Sequence, residues 1–167
     1  MTTVDYLFFS LKLVAALGCW LVAGVFFAFS SFVMNALARL QPPQGIAAMQ
    51  AINITVINPL FMTAFLGTAV ACTLVAIASL SAWHQPGAVC LLLGSLLYLV
   101  GTVLVTIVFN VPLNEALAKV EPSSTDGANL WANYLTSWTA WNHVRTAAAV
   151  AAAASLTMAL YQQAARS

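Results

Sequence analysis

The chain is poor in charge. Of its 167 residues only five are basic and four acidic, 5% in all, with a formal net charge of +1. A soluble domain carries about a quarter charged residues, so this chain cannot cover a water-facing surface with charge. The small net charge also excludes nucleic acid as a partner, because phosphate binding needs a basic patch. Cysteine is scarce too: Cys19, Cys72 and Cys90 form no CxxC and no metal spacing, and they read as small buried hydrophobes. Histidine occurs twice, at His84 and His143, without an HxxH or a carboxylate at ligand spacing, so a metal centre has no local signature. There is no GxSxG and no Cys-His pair for nucleophilic catalysis.

What the chain does have is apolar length. It is 62% hydrophobic, with a mean hydropathy of +0.94. Crossing a hydrocarbon core takes roughly 20 apolar residues per helix. Four stretches qualify, at about 13–34, 59–80, 87–109 and 139–160. The expectation is one all-α domain over residues 1–167, an integral, multi-pass, antiparallel four-helix bundle with both termini on one side. A bacterial inner membrane is the expected location, with lipids as neighbours and self-association left open. The first stretch has an Ala-x-Ala at Ala36 and Ala38, yet its apolar run is too long for a signal core and Asp5 spoils a basic leader. It reads as a retained span, with Lys12 reaching outward. Lys12 and Arg166 balance Arg39 and Lys119, so charge does not set the orientation.

The connections are unequal. "SAWHQPG", Ser81 to Gly87, is a tight turn, and His84 within it reads as inert. The other two connections are long and polar and should carry short helices on the same side of the membrane. Asn58-Pro59 looks like an N-cap followed by proline at the first helical position. Gly67, Ala71 and the alanines of 147–154 would let helices approach closely.

Alternation of direction puts the end of span one, the start of span two, the end of span three and the start of span four in one leaflet. Nearly every unusual polar residue falls there: Asn35, Asn53, Asn58, Asn110, Asn114, Glu115, Asn142, His143 and Arg145. Trp131, Tyr134, Trp138, Asn142 and Arg145 recur at steps of three and four, so they share one helical stripe. Asn110 and Asn114 stack one turn apart around Pro112, which frees a carbonyl. Taken singly, the aromatics read as interface anchors, Arg145 as reaching for lipid phosphate, the asparagines as helix glue, and Glu115–Lys119 as a solvated pair. Taken together, they point to a polar pocket, because ionisable groups in spans are costly and usually functional. In such a pocket Asn110 or Asn114 should meet Asn142 or Arg145, directly or through one water or ligand.

The same residues carry a resemblance. "FNVPLNEAL" (Phe109 to Leu117), followed further on by "WANYLTSWTAWNHVRT" (Trp131 to Thr146), resembles the anthrone oxygenase-like family of small membrane proteins. Many bacterial members of that family are known only as a domain of unknown function. "AGVFFAFSSFVMNAL" and "AMQAINITVINPLF" are similar to its first two helices. One departure is Asn35, where the family pattern has proline.

The resemblance implies a four-helix bundle and oxidation of anthrones to anthraquinones without a cofactor. It implies a small lipophilic aromatic ligand. In that reading His143 is the base, Arg145 and Asn142 serve the developing oxyanion with Asn110 and Asn114, and Trp138 and Trp141 supply flat walls. Asn53 and Asn58 complete the expected substrate contacts. Two alternatives stand beside it: a binding protein for haem (with His143 as axial ligand), quinone or a lipid headgroup, and a purely structural subunit.

Overall fold

The computed structural model describes residues 3–165. Arg166, one of the charges in the topology count, lies outside the described residues. Four helices are long and apolar enough to cross a membrane: α1 (Asp5–Leu37), α3 (Pro59–Ser81), α4 (Ala88–Ala118) and α5 (Thr125–Ala164). Between the first two lies α2 (Pro42–Thr55). No strand occurs among the described residues. The architecture is the expected all-α four-helix membrane bundle. Helix α5 packs between α1 and α4, and α3 packs on α1 and α4 from the other side.

Local chemistry explains the helix ends. Asn58 caps α3 as its sequence suggests: its Oδ1 accepts from Phe61 N at 3.0 Å, and Pro59 opens the helix. Ser124 caps α5 by accepting from Gly127 N at 2.9 Å. Pro42 opens α2. Gly87 turns the chain into α4 at φ 81°, a left-handed conformation that costs glycine nothing. A Cβ there would also press on the backbone of Ala159.

Three of the spans run well past their expected ends, the first beginning by Asp5 rather than near 13. The third continues as Val111–Ala118, the helical piece expected in the second long loop. The fourth begins at Thr125 rather than near 139 and is 40 residues long. That is about 60 Å of helix, twice a hydrocarbon thickness, and its first turns pack on α2 beyond the inter-span core. The end of α1 is not broken by the missing proline: Asn35 is helical and returns Nδ2 to Ser31 O at 3.1 Å.

The bundle therefore has two cores. One lies between the spans and includes Cys19, Phe26, Phe65, Cys72, Tyr98 and Leu156. The second is built beyond them by Met34 and Leu37 of α1, Ile46 and Met49 of α2, Leu117 of α4, and Trp131, Tyr134 and Trp138 of α5. Gln50 ties α2 down by donating to Leu117 O and Val120 O at 2.9 and 3.1 Å. Both long connections thus sit at the same end. Close helix approach occurs at Gly94 and Gly101, which face Ala152, Leu156 and Ala148 of α5. Gly67, expected to serve this purpose, is exposed. Leucine, isoleucine, valine and phenylalanine side chains are exposed along all four spans, as a lipid-facing surface requires.

Candidate functional site

The backbone at the inner faces of α1 and α4 is not regular α-helix. Phe29–Val33, Leu97–Leu104 and Thr106–Asn110 are π-helical. Such stretches are rare and often mark functional positions. The last has a local cause: Pro112 has no N–H, and its ring crowds the carbonyl four residues back. Ser31 contributes in α1 by bonding back to Phe27 O at 2.7 Å, which loosens the helical ladder. These π stretches supply Ser30, Thr102, Thr106 and Asn110, all of which bond α5.

Arg145 is the centre. It lies in the middle of α5 and is 5% exposed. Its Nε donates to Asn142 Oδ1 at 3.0 Å, and its Nη1 donates to Thr106 Oγ1 at 3.4 Å. Its guanidinium carbon lies over the ring of Phe26 at 4.0 Å and over the ring of Trp138 at 4.7 Å. No Asp or Glu is among these partners. Depth follows from Phe26, whose ring meets Phe65 edge-on at 6.3 Å. Phe65 lies six residues inside α3, about 9 Å from its start. The guanidinium therefore lies inside the bundle.

Asn142 orients Arg145 and is itself fully bonded. Its Nδ2 donates to Phe26 O at 2.9 Å and Ser30 Oγ at 2.7 Å. Ser30 is 3.0 Å from Thr146 Oγ1, which donates to Asn142 O at 2.7 Å. This closed loop of bonds fixes the amide so that its oxygen faces the guanidinium.

Asn114 serves the same end of the bundle differently. Its Oδ1 accepts from both Tyr134 OH and Trp138 Nε1, each at 2.8 Å. It thereby locks the indole under Arg145. Trp131, Tyr134 and Trp138 stack in a column at 5.6 and 6.0 Å. These three are buried in the protein. Their reading as interface anchors is overturned, because the stripe they occupy on α5 is covered by α2 and the ends of α1 and α4. Asn110 donates to Trp138 O at 3.2 Å, and its buried Oδ1 has no partner among the described residues. Asn53 on α2 approaches the Tyr134 hydroxyl, and its Nδ2 is buried without a hydrogen bond of good geometry.

The expected stripe of Trp138, Asn142 and Arg145 is thus brought together, with Asn110 and Asn114 beside it. Trp138 stands between Asn110 and Asn114 on one side and Arg145 on the other, bonded to both asparagines and lying against the guanidinium. Trp141 lies at the edge of the cluster, stacked on Phe109 at 3.6 Å. His143 is exposed and shares no bond with any of these residues. Asn58 spends both side-chain groups on its cap, with Nδ2 donating to Thr55 O at 2.9 Å, and borders a shallow groove of about 250 Å³ with Leu21, Val25 and Phe61. No group of three or more His, Cys, Asp or Glu gathers among the described residues, and His84 lies in the α3–α4 turn at the far end of the bundle.

Sequence reading missed Phe26, Ser30, Thr102 and Thr106. They are ordinary residues inside apolar runs, and no local pattern separates them from their neighbours.

The model of the family described as anthrone oxygenase matches residues 61–155, more than half of the chain. The chain belongs to the anthrone oxygenase family. The matched segment holds Asn110, Asn114, Trp138, Trp141, Asn142, His143 and Arg145. It leaves out α1 and α2, so Phe26, which faces Arg145, and Ser30, which bonds Asn142, lie outside the part that carries the family match. No curated protein and no solved structure matches the chain.

Proposed function

We propose that this membrane protein is an oxygenase for flat, lipophilic, phenolic substrates of the anthrone type, and that Arg145 holds the substrate's oxyanion. It works without a resident cofactor and crosses a bacterial inner membrane several times, taking its substrate from the lipid. The observation that carries the reading is an uncompensated charge. A guanidinium buried this far costs several kcal/mol unless an anion joins it. Two ring contacts return about 0.5–2 kcal/mol each, and neutral hydrogen-bond partners add a little more. None of these supplies the missing negative charge (partners Asn142, Thr106, Phe26 and Trp138).

An anthrone carries an acidic methylene conjugated with a carbonyl. Loss of one proton to water gives an enolate whose charge rests largely on oxygen, and the peroxide formed later takes a proton back from water. That anion passes one electron to O₂, and the carbon radical and superoxide combine into a peroxide at the former methylene. Loss of water leaves the second carbonyl. Anthrone plus O₂ becomes anthraquinone plus water, so no other reductant is needed. Arg145 stabilises the oxyanion in a site of low dielectric, Asn142 orients it, and the rings of Trp138 and Phe26 flank it. The side chains that touch Arg145 are neutral, with no carboxylate or imidazole among them, and they present oxygens and ring faces to the guanidinium. Their contribution is therefore to favour the anion, and a bound phenol should ionise at lower pH than the free one.

A buried cation without a carboxylate partner also fits a carrier that binds an acidic quinol or phenol without chemistry. Purified protein in lipid nanodiscs separates the two, because only the oxygenase consumes O₂ with an anthrone. Arg145→Gln should lower that turnover by about 10²–10³-fold, the usual effect of losing an oxyanion donor, with Arg145→Lys in between because it keeps charge but not the planar fork. Bound 2-hydroxyanthraquinone should show its phenolate spectrum about 1–3 pH units below the free compound in wild type. Unchanged turnover and an unchanged ionisation midpoint in Arg145→Gln would sink the proposal.

A further inference from the structure

Phe109 on α4 and Trp141 on α5 are stacked face to face, with ring centroids 3.6 Å apart and planes 9° from parallel. They belong to neither core. Phe109 is 37% exposed and Trp141 half-buried, so the pair lies at the lipid-facing edge of the α4–α5 seam. Stacking there is not explained by burial, because lipid is as apolar as the rings. Nor is full overlap the arrangement aromatic pairs prefer, which is offset or edge-to-face.

The position of the pair is informative. Phe109 follows Thr106 by three residues, Trp141 precedes Arg145 by four, and Thr106 and Arg145 meet across this same seam. The α4 backbone here is π-helical, Thr106–Asn110, and Pro112 has already removed one donor from the ladder. The seam is therefore less firmly held at Phe109 than a regular helix would hold it.

We propose that Phe109 and Trp141 form an aromatic clip at a lateral passage from lipid to Arg145. The occupant is a fused, flat ring system bearing an ionisable oxygen at one edge. Its rings slide between the two side chains while its oxyanion reaches the guanidinium. The proposal rests on the reading of Arg145 as an oxyanion site. Opening the rings to about 7 Å, the upper range of ring–ring contact, makes room for one flat system and turns one unfavoured sandwich into two stacks. One helical turn, about 5.4 Å, separates Trp141 from Arg145 along α5. Anchored by oxygen at Arg145, fused rings lay a whole ring against the stack, whereas a single ring reaches it only with its far edge. The clip therefore selects size and flatness, and Arg145 selects charge.

The test uses the full chain in lipid nanodiscs with two probes, 2-hydroxyanthraquinone and the monocyclic 4-nitrophenol, both as phenolates. Trp141→Ala should weaken binding of the tricyclic probe at least tenfold and leave the monocyclic one within twofold, as loss of a stacking surface predicts. Trp141→Phe should restore most of the loss, and Phe109→Leu should reproduce it, which keeps the test decisive if Trp141→Ala does not fold. Arg145→Gln should weaken both probes. Wild-type affinity for the tricyclic probe in Trp141→Ala or in Phe109→Leu overturns the clip while leaving the anion site standing, provided Arg145→Gln still loses both. Equal loss of both probes in Trp141→Ala also overturns it. Wild-type binding of both probes in Arg145→Gln overturns the anion site itself.

Discussion

At the scale of single residues, the helical angle decides who takes part. Neighbours on an α-helix differ by about 100°. Asn142 therefore faces α1 and is fully buried, whereas His143, the next residue, is exposed. A general base must lie within hydrogen-bond reach of the proton it removes, directly or through one water, and no hydrogen bond joins the His143 side chain to the residues around Arg145. His143→Gln should accordingly keep anthrone turnover within about twofold, where a general base would lose 10²-fold or more. Oxygen uptake measured beside Arg145→Gln checks this, and a collapse in His143→Gln alone would return the proton-transfer role to it. Asn114 illustrates the opposite case. It offers a single oxygen, yet that oxygen holds two aromatic donors and so positions the indole beneath the guanidinium.

At the scale of elements, the π stretches and the caps do different work. The π stretches in α1 and α4 supply the hydroxyls and amide that bond α5; the caps only fix where helices begin. Asn58 belongs to the second class, since its amide oxygen and nitrogen are both used at the start of α3. Asn58→Ala should therefore cost about 1 kcal/mol of stability and leave binding of 2-hydroxyanthraquinone unchanged. Asn58→Asp, another good cap, should recover the stability. Thermal unfolding and a binding titration on the same nanodisc samples read both effects, and a loss of binding in Asn58→Asp without loss of stability would make Asn58 a ligand contact. The length of α5 was hidden from hydropathy because its first half, Thr125 to about Trp138, alternates polar and aromatic residues. That half is helical because its aromatic stripe is buried by α2 and the end of α4.

At the scale of the whole molecule, the bundle sorts its three thiols. Cys19 and Cys72 are fully buried between α1 and α3, with sulfurs 3.9 Å apart, whereas Cys90 is half-buried near Gln162. A membrane-permeant maleimide should label Cys90 first and reach Cys19 and Cys72 only after the bundle is unfolded in strong detergent, because inaccessible thiols react slowly. Peptide mapping after graded labelling checks this; early modification of Cys19 or Cys72 would mean that α1 and α3 separate in the folded protein.

The limits of the amino-acid sequence show at this scale too. Run length and hydropathy determined four helices and their alternation, since a hydrocarbon core leaves helices as the only way to satisfy the backbone. Helical periodicity determined that Trp131, Tyr134, Trp138, Asn142 and Arg145 share a face, and alternation of direction determined that the polar residues gather at one end. Those inferences need only neighbours along the chain. What meets that face was decided by the tertiary structure alone. Phe26 and Ser30 come from 116 and 112 residues away to bond Asn142, and Thr106 meets Arg145 from 39 residues away across the α4–α5 seam. Such pairings depend on how one helix is turned and shifted against another, and no local window of sequence contains that information.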